Sequence, residues 1–269
     1  MSGYDNRTAI FLSSVCSQTY ASYNNPDGSF VMPEGFGLVK EIWAKSFGGV
    51  SERFGFIIES DSHVVIAFRG TSSTQDWVTD AMASQVKVKW TKEAGAAHRG
   101  FSRIYGSARD QVLEALDNLP TDKVLYLTGH SLGGALATLC ALDASDNSSF
   151  KSPTTYTFGS PRVGDPTFAK AFRERGGESF RVNNRFDVVT HLPPQTYKLP
   201  KRDKTFYYEH VTKPETLSFH NGSVPANHVI GSYYAVLAER NPGFTVSLSE
   251  RNPGLCPGSE VSAEVAVNH

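Results

Sequence analysis

The chain has 269 residues, 39% of them apolar and 20% charged, and a formal net charge of −1. That length and apolar content suffice to bury one large core or two smaller ones. The near-zero charge leaves no overall field for a nucleic acid or an anionic membrane, and no apolar run reaches the roughly 18–20 residues of a spanning helix.

Near the N-terminus, "TAIFLSSVCSQTYA" is interrupted by serines and preceded only by Arg7. It makes a poor signal peptide and reads instead as an amphipathic helix, bracing the domain over residues 1 to about 24. Location stays open: secreted if a leader was removed, otherwise cytoplasmic. "FGFIIES" and "VVIAFRG" are rich in β-branched and aromatic residues, and "SDSH" between them predicts a hairpin. From Phe101, the apolar Ile104, Tyr105, Ala108, Val112, Ala115, Leu116 and Leu119 recur at helical spacing up to Pro120.

Next come strand "KVLYLTG", an apolar helix from Leu132 to about Ala144, strand "TTYTFGS", a helix near Pro166–Arg175 and strand "SFRVNN". This alternation predicts an α/β fold whose largely parallel central sheet is covered by helices on both faces. No composition break divides the chain, so residues 1–254 read as a single domain. "ERNPG" occurs at Glu239 and again at Glu250, and residues 255–269 are expected to form a disordered tail. Of three cysteines, Cys140 reads as a small core residue, and a Cys16–Cys256 bridge would join the two ends. "NRT", "NSS" and "NGS" match the glycosylation pattern, which matters only in a chain secreted by a eukaryote. No His/Cys cluster has metal-ligand spacing.

One corner carries chemistry. "GHSLG", Gly129–Gly133, fits G-x-S-x-G between a predicted strand and a predicted helix, the context a nucleophile elbow requires. Glycines two residues either side of Ser131 give strand and helix room to pass. The helix starting at Leu132 aims its unpaired N–H groups at the place where negative charge would develop. A serine hydroxyl needs a base, and the base an orienting acid, in the chain order Ser, Asp or Glu, His. Asp187 stands just past the strand "SFRVNN", where ligand-facing loops of parallel sheets gather. Asp165 precedes Pro166 at a helix start, where capping is its simpler role. For the base, His228 stands at the entrance of an apolar helix that could hold its ring. His191, His210 and His220 remain alternatives, His269 is terminal, and His130 reads as a packing residue.

The pieces "VVIAFRGT", "HRGF", "LTGHSLGGALA", "TFGSPRVGD", "RVNNRFDVVTHLPP" and "NHVIGSYY" together resemble the class 3, fungal-type triacylglycerol lipases of the α/β-hydrolase fold, over residues from about 54 to 236. The resemblance implies Ser131 as nucleophile, Asp187 as acid and His228 as base. It also implies an oxyanion hole from Thr71 and the backbone N–H of Leu132, and a reaction needing no metal or organic cofactor. The expected partner is a lipid or ester substrate at an oil–water interface. The family carries a mobile helical lid where this chain has "SSTQDWVTDAMASQV", about 72–86. There Trp77, Val78, Ala81 and Met82 fall on one helical face, and Ser73 and Asp76 could cap its start. Lys87, Lys89 and Lys92 around Trp90 could assist at the interface, whereas "KLPKRDK" reads as solvated surface. The simpler alternative for 72–86 is a fixed surface helix followed by an edge strand. Two other functions compete: an esterase of the same family on soluble esters, feruloyl or short-chain, and a catalytically silent interaction protein.

Overall fold

The computed structural model describes residues 3–71, 84–198 and 204–258. Helix α1 (Asn6–Asn24) leads into strands β1 (Gly37–Lys45), β2 (Ser51–Glu59) and β3 (His63–Phe68). Short strands β4 (Gln85–Lys87) and β5 (Ala96–His98) then precede α2 (Arg99–Asp117). The predicted alternation follows as β6 (Val124–His130), α3 (Leu132–Asn147), β7 (Thr154–Phe158), α4 (Pro166–Arg175) and β8 (Glu178–Asn184). The last elements are β9 (Thr196–Lys198), β10 (Thr205–Tyr207), β11 (Pro214–Leu217), α5 (Ile230–Glu239) and α6 (Pro242–Arg251).

Seven strands form the main sheet in the order β1-β2-β3-β6-β7-β8-β11. The pairs from β3 to β11 are parallel, while β1-β2 and the β2-β3 hairpin are antiparallel. Residue alternation in β2 and β3 divides the core in two, because successive side chains point to opposite faces. Ile57, Val64, Ile66 and Phe68 go to one cluster, with α2, α3 and α4. Phe56, Ile58, Val65 and Ala67 go to the other, with α1 and α5. Each such buried Val, Ile or Phe side chain stabilises the fold by about 1.5–3 kcal/mol.

The amphipathic stripe read on α2 is its buried face. Helix α3 is buried on every side from Leu132 to Ser145, which explains its uniformly small and apolar composition. At the β1 edge, side chains of α2 satisfy the unpaired backbone. Gln111 exchanges hydrogen bonds with both Trp43 backbone groups, and Ser107 Oγ accepts the Lys45 N–H. That cover removes a row of groups open to strand addition.

Two sequence expectations meet different outcomes here. All three cysteines are free thiols, so Cys16 and Cys256 do not bridge; Cys16 Sγ lies 3.2 Å from Thr128 Oγ1 instead. The domain runs past residue 254: Leu255 is fully buried and its carbonyl accepts Gln18 Nε2 of α1 at 2.9 Å. The first "ERNPG" ends α5 and opens α6, with Asn241 capping through the Phe244 N–H and Pro242 in the first turn. Residues 259–269 lie outside the described residues.

Candidate active site

Strand β6 runs straight into α3 through Ser131, whose φ of 58° and ψ of −128° are strained for a residue with a side chain. The turn is closed by contact. A Cβ at Gly129 would sit 2.2 Å from the Gly133 carbonyl carbon, and one at Gly133 would sit 2.1 Å from the Phe68 oxygen. The Ser131 N–H donates to Phe158 O on β7 at 2.9 Å, and Gly134 N–H donates to Ser131 O at 3.0 Å. Leu132 is the first residue of α3, so its N–H has no acceptor within the helix. Thr71 follows three residues after β3, whose Phe68 pairs with Gly129 of β6, so both chains leave the sheet side by side.

The long-range partners arrive from the far side of the same sheet end. His228 Nε2 lies 2.8 Å from Ser131 Oγ, and its Nδ1 lies 2.6 Å from Asp187 Oδ2. Asp187 is fully buried, Ser131 is 1% exposed and His228 7%. Asp187 Oδ1 accepts the Val189 N–H at 2.9 Å, and Oδ2 also accepts the Tyr233 hydroxyl proton at 2.6 Å. An ionised carboxylate only accepts, so the imidazole proton resides on Nδ1 and the Nε2 lone pair faces the serine hydroxyl. This arrangement can withdraw the hydroxyl proton as Oγ forms a bond. Burial, then the Asp187 charge, push the Tyr233 phenol well above its usual range, so it stays a donor. Gly159, with φ of +59°, leaves the room this pair needs: a Cβ there would sit 2.9 Å from Asp187 Oδ2 and 3.1 Å from the His228 ring.

The other candidates fall elsewhere. Asp165 caps α4, accepting the Phe168 N–H at 2.7 Å. His210 is tied to Thr190 O at 2.8 Å, and burial, then Arg181, hold it down at about 2. His191 ends a short 3-10 turn where Arg162 binds its carbonyl. His220 lies in an exposed loop, its ring edge-on to Phe186 at 5.2 Å. His130 is more than packing. Its ring bridges Tyr20 Oη (Nδ1, 2.7 Å) and the His228 carbonyl (Nε2, 2.5 Å). Burial, then the neighbouring His228, hold it well below the ordinary imidazole range. His269, Trp77, Val78, Ala81 and Met82 lie outside the described residues, as do Ser73 and Asp76. The end of the expected lid is a strand, with Gln85 and Val86 paired to β5. Trp90 turns toward the core, its ring 5.6 Å from Tyr105, rather than outward among the exposed Lys87, Lys89 and Lys92.

Sequence reasoning missed Tyr233, Gly159 and Asn184, though all three stand inside motifs that it quoted. A tyrosine five residues after His228 shows its role only once α5 is folded against β8. Among the described residues no group of three or more His, Cys, Asp or Glu could hold a metal, and no helix is long and apolar enough to cross a membrane.

A parallel sheet between helix layers, with a strained serine at a strand–helix turn facing a His–Asp pair, defines the α/β-hydrolase fold class. The profile of the family described as "Lipase (class 3)" matches residues 65–197. The lipase of Rhizomucor miehei is 39% identical over 147 residues, 52% of this chain and 40% of that protein. The solved structure of the Rhizomucor miehei triacylglyceride lipase superposes with a TM-score of 0.54 at 30% identity, covering 70% of this chain and 72% of that one. Phospholipase A1-II 1 of Oryza sativa subsp. indica is 33% identical over 187 residues, 59% of this chain and 48% of that protein. A triacylglycerol lipase whose catalytic centre is a serine protease triad superposes at TM-score 0.59 and 27% identity, over 72% of this chain and 76% of that one. The chain belongs to the class 3 lipase family. It spans less than half the length of these two curated relatives.

Proposed function

We propose that the protein is a serine hydrolase that cleaves carboxylic esters of acylglycerols through an acyl-enzyme. The observation that carries this is the hydrogen-bonded line from Ser131 Oγ through the His228 ring to Asp187, on a strained elbow. Membership of the lipase family supports it. In the proposed reaction His228 Nε2 takes the Ser131 proton as Oγ attacks the ester carbonyl, and Asp187 stabilises the resulting imidazolium. The Leu132 N–H and Thr71 hold the oxyanion. The imidazolium gives its proton to the leaving alcohol, and water then releases the acid by the same steps. In this reading the segment before strand β4, from residue 72, serves as a lid, Trp77, Val78, Ala81 and Met82 covering the cleft in water and meeting lipid at an interface.

A second substrate class has one observation behind it: the similarity to the rice phospholipase A1-II 1. The test is fatty-acid release against concentration for a short triglyceride, a long triglyceride and a phosphatidylcholine, each carried through its solubility or micellar limit. A jump in rate as triglyceride droplets form supports a lipase. Faster release from phosphatidylcholine moves the substrate to phospholipids. Saturation below the limit, with the short ester preferred, makes the protein an esterase of soluble esters. No release from any of them, nor from an aryl ester, overturns the hydrolase reading.

A further inference from the structure

We infer that Asn184, acting with Tyr233, is a positioning residue that sets the separation and alignment of Asp187 and His228; this rests on the ester-hydrolase reading above. The acid and base stand 41 residues apart in the chain and 2.6 Å apart in space, so no local turn can set their geometry. Asn184 ends β8 and is 1% exposed. Each of its hydrogen-bonding groups is committed to a segment that carries the acid or leads to the base. Its carbonyl accepts the Asp187 N–H at 3.1 Å. Its N–H donates to Tyr233 Oη at 3.0 Å, and that hydroxyl donates onward to Asp187 Oδ2 at 2.6 Å.

The side chain reaches the other partner. Asn184 Nδ2 donates to the carbonyl of Asn227, the residue before His228, at 3.1 Å, and Oδ1 accepts the N–H of Phe219 at 3.2 Å. Asn227 Oδ1 in turn accepts the Asn221 N–H at 2.7 Å, closing the loop between Phe219 and His228. Only a neutral amide fits this place, because one end must donate to a carbonyl while the other accepts from an N–H. A carboxylate has no proton for Asn227 O, and its charge would face a carbonyl in a buried setting. The bonds to Asp187, Tyr233 and Asn227 flank the line of proton transfer, and a displacement of about 1 Å along such a line can cost roughly 100-fold in rate.

The experiment uses Asn184→Asp, Asn184→Ala and Tyr233→Phe in the full chain. Turnover of a soluble aryl ester is expressed per active site counted by a fluorophosphonate that titrates Ser131. Proton NMR follows the downfield resonance of the short His228 Nδ1–H···Asp187 bond. Expected for both Asn184 variants is kcat lowered about 10–100-fold per titrated site with KM little changed, and the resonance lost or displaced. Tyr233→Phe should move both readouts in the same direction by less. Wild-type kcat per site with an unmoved resonance overturns the proposal, as does lost activity accounted for wholly by fewer titratable sites. If neither Asn184 variant folds, Tyr233→Phe decides alone: wild-type kcat and resonance in that variant overturn it. A wild-type protein that neither turns over the ester nor reacts with the fluorophosphonate fails the hydrolase reading instead, and the resonance still judges the positioning.

Discussion

The two sides of the site are built by different means. The Ser131 side is built from backbone. The end of β6, Ser131 and the first turn of α3 are locked by close backbone contact, Gly129 against Gly133 within the turn and Gly133 against Phe68 at the end of β3, that admits no side chain. The Asp187–His228 side is assembled from side chains at long range. Asp187, His228, Tyr233 and Asn184 come from β8, a loop and α5, held by side-chain hydrogen bonds across 41 to 49 residues of chain. The backbone device fails when bulk is added at Gly129 or Gly133, whereas the side-chain network depends on donor and acceptor identity, and at Gly159 it too has no room for a Cβ.

Removing the proposed nucleophile gives the largest expected effect. Ser131→Ala should lower kcat by about 10⁵–10⁶-fold while leaving thermal stability nearly unchanged or higher, since backbone strain is tied to the turn and not to Oγ. A Ser131→Ala protein with ordinary esterase rates would remove the elbow from the mechanism. His228→Ala should lose turnover to a similar order, while His210→Ala, already neutral and tied to Thr190, should keep it. If the second variant alone abolishes turnover, the base is wrongly assigned.

The Ser131 side breaks by shape. Gly133→Ala should cost about 3 kcal/mol or more, because its Cβ would meet the backbone oxygen of Phe68 and not a side chain that can move. Urea titration reads this directly, and a midpoint within experimental scatter of wild type would contradict the contact-locked elbow.

Acid sharpens the comparison from outside the site. Burial holds His98 at about 3 and His210 at about 2, and it keeps His130 well below the ordinary 6.5. These rings are neutral when folded and protonate when unfolded. Their stabilisation is therefore complete above about pH 6.5 and falls as pH drops below it, by about 1.4 kcal/mol per pH unit for each ring. His98→Asn keeps a helix cap for the Phe101 N–H but does not titrate, so it should flatten the loss of urea stability between pH 6 and 4 by one ring's share. An unchanged slope would mean that His98 is not held neutral. Tyr20→Phe gives the smallest effect. It removes the 2.7 Å bond to His130, at a cost of about 1 kcal/mol in stability and less than tenfold in kcat.

Much of this was legible in the residues. The helix expected near Pro166–Arg175 is α4, because Asp165 and Pro166 mark a helix start by local chemistry. The α2 stripe was legible from spacing alone, since a helix that buries one face must repeat apolar residues along it. Less legible was the region after Arg240. Its composition is rich in glycine and proline and a disordered tail is expected from residue 255, yet Asn241 and Pro242 open a helix and Leu255 packs against α1. Composition weighs residues without regard to order, while capping depends on which residue stands at which place.

His130 shows the other limit. Beside the serine it looked like packing, and nothing in its neighbours in sequence predicted a bond to Tyr20, 110 positions away, or to the carbonyl of His228. The sequence by itself determined the strand–helix alternation and the glycine-lined corner at Ser131, since dihedral freedom, side-chain bulk and apolar period act over a few residues. Only the tertiary structure decided which histidine meets that serine, and that Tyr233 and Asn184 hydrogen-bond to Asp187 and to the residue before His228. Those choices depend on the distance between groups far apart in the chain, which exists only after the sheet has closed between its two helix layers.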